Sequence, residues 1–141
     1  MGMKPVKVER LGMDMVSDQV VVFLKEIDGD RSLPIWIGHL EAGSIALALE
    51  GVQPPRPITH DLLKSVLEAV GARVKRVAIN DLRNETFYAL IEVEVDGRTF
   101  EVDSRPSDAL ALALRTQAPI YVAEQVLEQA GVRSSEGGQG G

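Results

Sequence analysis

One pattern occurs twice in this chain and limits what it can fold into. Glu26-Ile27-Asp28-Gly29, a strand-like run and a helix-like segment with Ile45-Ala46-Leu47-Ala48-Leu49 make the first copy. Glu94-Val95-Asp96-Gly97, a second strand-like run and Leu110-Ala111-Leu112-Ala113-Leu114 make the second. Asp-Gly between two strands favours a tight hairpin, because glycine tolerates the positive φ of such a turn. A helix built from alanine and leucine has little bulk and packs closely on a sheet. Two such units in the same order predict an α+β fold, with duplicated β-β-β-α units forming a twisted, largely antiparallel, barrel-like sheet with packed helices. Chance recurrence of common turn and helix motifs is the competing explanation.

The rest of the chain fits this plan. Strands are predicted over Lys4 to Leu11, Gln19 to Glu26 and Arg31 to Ile37. Pro34 cannot donate to a ladder, so the third should lie at an edge. His39 to Leu49 reads as a helix, and Pro54, Pro55 and Pro57 stiffen the loop after it. Thr59 is the expected N-cap of the next helix, with Asp61 in its first turn. Leu62, Leu63, Val66, Leu67 and Val70 recur at helical spacing as one apolar stripe, and Gly71 suits the C-terminal cap. Arg73 to Leu82, Glu85 to Asp96 and Arg98 to Asp103 read as strands, with Phe100 and Val102 facing the core. Pro106 fits the first position of a helix ending near Thr116. A short strand, Ile120 to Ala123, and a helix, Glu124 to Ala130, follow. Residues 1–132 make one expected domain, and 133–141 a flexible tail rich in Ser and Gly.

Composition excludes several kinds of chemistry. The chain has no cysteine, so disulfides, thiolate metal sites and a cysteine nucleophile are ruled out. No secretory leader is visible, and no apolar run is long enough for a bilayer span, so the expected location is the cytoplasm, away from membranes. The net charge is −6. That opposes sequence-independent coating of DNA, but not an enzyme that grips a few phosphates locally. Phosphate-binding glycine motifs, zinc-ligand spacings and the G-x-S-x-G elbow do not occur.

Four clusters can carry chemistry. In Glu101-Val102-Asp103-Ser104-Arg105-Pro106-Ser107-Asp108, two carboxylates two residues apart project from one strand face. The chain then turns into a helix start that favours anions. Carboxylates beside an arginine can hold a divalent cation and orient a phosphodiester. A solvated strand with ordinary capping and a salt bridge at Arg105 explains the same residues. In Arg56-Pro57-Ile58-Thr59-His60-Asp61, the arginine sits on a stiff loop, and the histidine can exchange protons near neutral pH. Thr59 capping beside an exposed His60 is the plainer alternative. His39 and Glu41 are wrongly spaced for a metal pair, but Glu41 can partner an arginine. Arg73, Lys75, Arg76 and Arg83 lack interleaved aromatics and read as a solvated face.

These segments also carry a resemblance. Leu33-Pro34-Ile35-Trp36-Ile37-Gly38 with Glu41-Ala42, Arg56-Pro57-Ile58-Thr59-His60-Asp61-Leu62-Leu63, Thr86-Phe87-Tyr88-Ala89, and Asp103-Ser104-Arg105-Pro106-Ser107-Asp108-Ala109 with Leu112-Ala113 resemble, in order, the signatures of the bifunctional nuclease (BFN) domain family. The resemblance covers about residues 4 to 131. It implies DNase and RNase activity, with DNA and RNA as substrates, a fold of two β-β-β-α units and a homo-oligomer.

The roles expected from the residues follow. Arg56 and Arg105 clamp phosphate. Glu101, Asp103 and Asp108 hold a divalent cation, Mg or Mn, and His60 handles a proton, so that His60, Glu101, Asp103 and Asp108 form the catalytic set. The edge strand around Pro34 and Trp36 favours a homo-dimer. The rival is a non-catalytic regulatory module whose polar corner recognises a ligand or a protein.

Overall fold

The computed structural model describes residues 2–133; the predicted tail lies outside them apart from Arg133. β1 (Met3–Asp14), β2 (Gln19–Glu26) and β3 (Arg31–Ile37) form an antiparallel meander that runs into α1 (His39–Glu50). After α2 (Thr59–Ala69), a second meander of β4 (Ala72–Arg83), β5 (Thr86–Val95) and β6 (Arg98–Ser104) runs into α3 (Pro106–Thr116). The short β7 (Ile120–Ala123) joins them, antiparallel to β1 and parallel to β4. α4 (Glu124–Ala130) and β8 (Val132–Arg133) complete the described chain. The result is one sheet in the order β6-β5-β4-β7-β1-β2-β3-β8.

Local chemistry explains most boundaries. The β5–β6 turn is Asp96-Gly97, with both residues at positive φ (52° and 79°), as a two-residue hairpin with the right twist requires. Asn84 and Glu85 do the same between β4 and β5 (51° and 64°). Pro106 opens α3, and Gly71, at φ 76°, follows the end of α2. Thr59, by contrast, is not the cap of α2 but its first residue. The capping position is Ile58, whose N–H donates to Asp61 Oδ2 at 3.0 Å. A carboxylate at the third helical position reaches back to an orphan amide, so the missing hydroxyl cap costs little.

Alternation places Val20, Val22, Leu24, Leu33, Ile35, Val77, Ile79, Ala89 and Ile91 in one core with α3. Ala109 to Ala113 are all buried, because α3 touches α1, α2, β4 and β5. Only small side chains permit such close neighbours on several sides. α4 contacts both β3 and β4, although three strands separate them in the sheet. A flat sheet would hold them ~19 Å apart at ~4.8 Å per strand, farther than a helix of this length reaches. The sheet is therefore strongly curled.

Two expectations need correction, and a third feature stands without a cover. The sheet curls but does not close, since β6 and β8 lie at opposite ends of an open order; among the described residues no ladder joins those ends. Phe100 and Val102 lie on the core side of β6, opposite Val93 and Ile91, yet are 48% and 46% exposed. β6 is an edge strand, paired on one side with β5. The apolar stripe of α2 is also largely uncovered: Leu62, Leu63, Val66 and Val70 are exposed, and His60 is its only buried residue.

Candidate functional site

The site begins with the starts of α1, α2 and α3. Glu41 and Asp108 each occupy the third position of their helix, α1 and α3. Acidic residues are favoured there by the helix dipole. Arg105, the residue before α3, lies between them. Its Nε donates to Asp108 Oδ2 at 2.9 Å, and its NH2 donates to Glu41 Oε2 at 3.3 Å. Glu41 thus meets an arginine, the role its position on a small-residue helix predicts. Gly38 makes room for it: a Cβ there would stand 2.5 Å from Glu41 Oε1.

His60 comes from α2 and is buried. Its Nε2 lies 2.9 Å from Asp108 Oδ1, and its Nδ1 lies 2.6 Å from Ser44 Oγ. Burial pulls the Asp108 carboxyl upward, but hydrogen bonds and charge from Arg105 and His60 more than offset it. The group is held below the ordinary carboxylate range. An ionised carboxylate accepts only, so Nε2 carries the proton it shares with Asp108. In neutral His60, Nδ1 is then an acceptor, and Ser44 donates to it. A second arginine braces the assembly. Arg115 Nε donates to Asp61 Oδ1 at 2.7 Å, its NH2 to the Ser44 carbonyl at 3.1 Å and its NH1 to the Ala111 carbonyl at 2.9 Å. The Asp61 carboxyl is held low by the Ile58 amide first and Arg115 second.

Two surface depressions meet at Arg105. One, about 670 Å³, is lined by Leu40, Leu47, Ile58, His60, Arg105 and Asp108, among others. The other, about 340 Å³, includes Trp36, Ile37, Glu41, Phe87, Arg105 and Ser107 in its lining. Glu41 and Arg105 line both.

The sequence-predicted residues divide into those that meet and those that do not. His60, Asp108 and Arg105 form one bonded chain. Arg56 is exposed on the proline loop and has no hydrogen bond or ion pair among the described residues. Glu101 and Asp103 share a face of β6, as alternation requires, but lie opposite Glu92 and Leu90, on the side turned away from α3. Asp108 is instead engaged by His60 and Arg105. Among the described residues no group of three or more His, Asp or Glu is placed to hold a metal ion. The expected trio therefore does not fit a shared cation. Of the basic set, Arg73, Arg76 and Arg83 pair with Glu94, Glu92 and Asp81, as a solvated face would. Sequence reasoning missed Ser44 and Arg115. The available signal for Ser44 was its spacing, one helical turn after Glu41 on the same face. For Arg115 there was none, because its partners are 54 and 71 residues away.

A family model described as bifunctional nuclease domain matches residues 22–135. The chain belongs to the bifunctional nuclease domain family. All four family-like segments contribute to the walls around Arg105: Trp36, Ile37, Gly38 and Glu41, then His60, Phe87, and Arg105 with Ser107 and Asp108. An uncharacterized protein of Mycobacterium tuberculosis is 48% identical over 130 residues, covering 92% of this chain and 77% of the relative. Bifunctional nuclease 2 of Oryza sativa subsp. japonica is 30% identical over 122 residues, which is 84% of this chain but 38% of that protein. Bifunctional nuclease 1 of Arabidopsis thaliana is 29% identical, again with 84% and 38% covered. The chain thus spans well under half the length of these plant bifunctional nucleases. No helix among the described residues is long and apolar enough to cross a membrane.

Proposed function

We propose that this protein hydrolyses phosphodiester bonds of DNA and RNA at the Arg105–Asp108–His60 centre. The observation that carries the proposal is the meeting of His60 Nε2 and Asp108 Oδ1 at 2.9 Å, from segments 48 residues apart, on the wall of an open depression. Asp108 fixes the histidine ring and stabilises it when it gains a proton. The base is Nδ1, reached through Ser44 Oγ–H: as water attacks phosphorus its proton passes to Ser44 Oγ while the serine's own proton passes to Nδ1, and the departing sugar oxygen is protonated from solvent. Arg105 supplies phosphate recognition. Arg105 NH1 has no partner among the described residues, and its contact to Glu41 is the longer of its two. A phosphate that displaces Glu41 would meet two N–H groups of one guanidinium, the bidentate geometry that suits this anion. Relatives named bifunctional nucleases support the substrate class.

A regulatory binding module is favoured by one feature: Arg105 is already held by two internal carboxylates, in a chain of net charge −6. The deciding assay uses protein freed of host nucleases, on single-stranded DNA and on RNA, with and without EDTA. Cleavage that falls at least tenfold in both His60→Ala and Asp108→Asn supports the nuclease. Cleavage equal in wild type and variants shows that it comes from elsewhere and leaves the module. The EDTA arm reads any cation requirement directly.

Two further proposals concern the frame. Glu41 and Asp108 hold the same position in helices that each follow a three-strand meander, which supports descent of the two units from one duplicated ancestor. The open edges of the sheet support a homo-dimer.

A further inference from the structure

Ser107 is the second residue of α3 and is only 6% exposed. Its hydroxyl has no hydrogen-bond partner among the described residues. The side chain is more than nine-tenths buried, yet its hydroxyl keeps a donor and an acceptor free. The one unpaired polar atom sealed from solvent among those residues is Asn80 Oδ1. Ser107 differs: it lines the smaller depression, beside Glu41, Phe87 and Trp36. A ligand there can supply what the protein does not.

The lining decides the kind of ligand. A phosphate would face the carboxylates of Glu41 and Glu85 at once, and like charges at short range repel. A neutral planar group fits better. Ile35 and Ile37 are buried on the inner face of β3, Phe87 adds aromatic surface, and Trp36, on the opposite face with its indole N–H bonded to Asp14, stands at the rim. A carboxylate accepts hydrogen bonds only, whereas a serine hydroxyl both donates and accepts. Adjacent N–H donors beside an acceptor on one flat ring edge complement that pair, and guanine presents them. Recognition through bases also suits an acidic chain, since stacking needs no basic field.

We propose that the depression lined by Ser107, Glu41, Phe87 and Trp36 is a nucleobase subsite that takes guanine, with the phosphate of the same nucleotide at Arg105. The assignment rests on the nuclease reading of the adjoining centre and names which part of the strand lies on the far side of Arg105. Arg105 lines both depressions, so one nucleotide can span them.

Trp36 is the only tryptophan in the chain, which gives an internal probe. The full chain is titrated separately with guanosine, guanosine 5′-monophosphate and inorganic phosphate, followed by tryptophan fluorescence and by calorimetry. Saturable binding of guanosine and its monophosphate is expected, the monophosphate the tighter because Arg105 holds its phosphate, with phosphate alone weaker than either. Ser107→Ala and Phe87→Leu should each weaken the monophosphate about fivefold, the scale of one lost hydrogen bond or ring contact. Saturation by phosphate without guanosine binding would make the depression an anion site and overturn the proposal. So would unchanged affinity in both variants, even with cleavage intact, and that result leaves the nuclease standing. Guanosine binding that both variants weaken, in a protein that cuts nothing, keeps the subsite and removes the nuclease.

Discussion

Arg105 decides most at the scale of single residues. Its guanidinium is 65% exposed and tied to Asp108 and Glu41, and Asp108 raises its pKa still further. Exposed pairs of this kind contribute at most about 1 kcal/mol to stability. A clamp on phosphate, by contrast, loses about 1.5–3 kcal/mol when one charged hydrogen bond goes. Arg105→Lys should therefore lower cleavage of single-stranded DNA and RNA by one or more powers of ten and leave the thermal melt nearly unchanged. A melt that drops together with activity would make the residue structural. Unchanged cleavage would remove it from the mechanism. The sequence exposed Arg105, Asp108 and His60 because helix starts announce themselves locally through Pro106, through acidic first turns and through a histidine beside a stiff loop. It could not show that His60 is buried, or that Glu101 and Asp103 sit on the far side of the sheet from Asp108. Those facts depend on which strand face the helices cover, a long-range outcome.

Among the elements, three helices are sewn together by one side chain. Arg115 of α3 is 8% exposed and bonds α2 through Asp61 and α1 through the Ser44 carbonyl. Removing one partner of a buried pair leaves the other charge uncompensated. Arg115→Ala should thus cost about 3 kcal/mol in urea melts, and it should also loosen the seat of His60. A loss below the scatter of surface substitutions would show that α2 is held otherwise. A second tie joins the β2–β3 hairpin to α4, where Arg31 bonds both Glu26 and Glu124. Arg31 holds the Glu26 carboxyl below its ordinary value and takes Glu124 down to about 2. A lowered folded-state pKa stabilises the protein at any pH above the unfolded value and loses that contribution as pH falls through the folded one. Melting temperature should therefore hold steady down to about pH 4.5, near the ordinary glutamate value, and decline from there towards pH 2. Glu124→Gln should flatten that decline. An equally steep decline in the variant would place the acid sensitivity in other carboxylates. Strand alternation and turn chemistry made β2, β5 and the Asp96-Gly97 hairpin legible. β8, two residues long, carries no periodicity to read, and the curl of the sheet follows from packing against α4.

For the whole molecule, the open question is what covers its edges. Among the described residues β3 has no further strand beyond Ser32, since β8 pairs only with Arg31 and Ser32, which agrees with the edge position that Pro34 demands. β6 is the more exposed edge. Among the described residues it pairs only with β5, and Phe100 and Val102 stand about half open on the core side. A free strand with apolar side chains is a template for another chain, and in homo-oligomers a two-fold axis is the commonest way to satisfy it. Antiparallel pairing of β6 with its copy would continue the sheet and cover both residues. Light scattering at micromolar concentration should give the mass of a dimer. Phe100→Glu should shift it to the monomer with an unchanged circular dichroism spectrum, because the side chain contributes little to the core of one protomer. A monomeric wild type at that concentration would rule out the dimer. A dimer that survives both Phe100→Glu and Val102→Glu would move the interface to the β3 edge, where Pro34 and Trp36 lie.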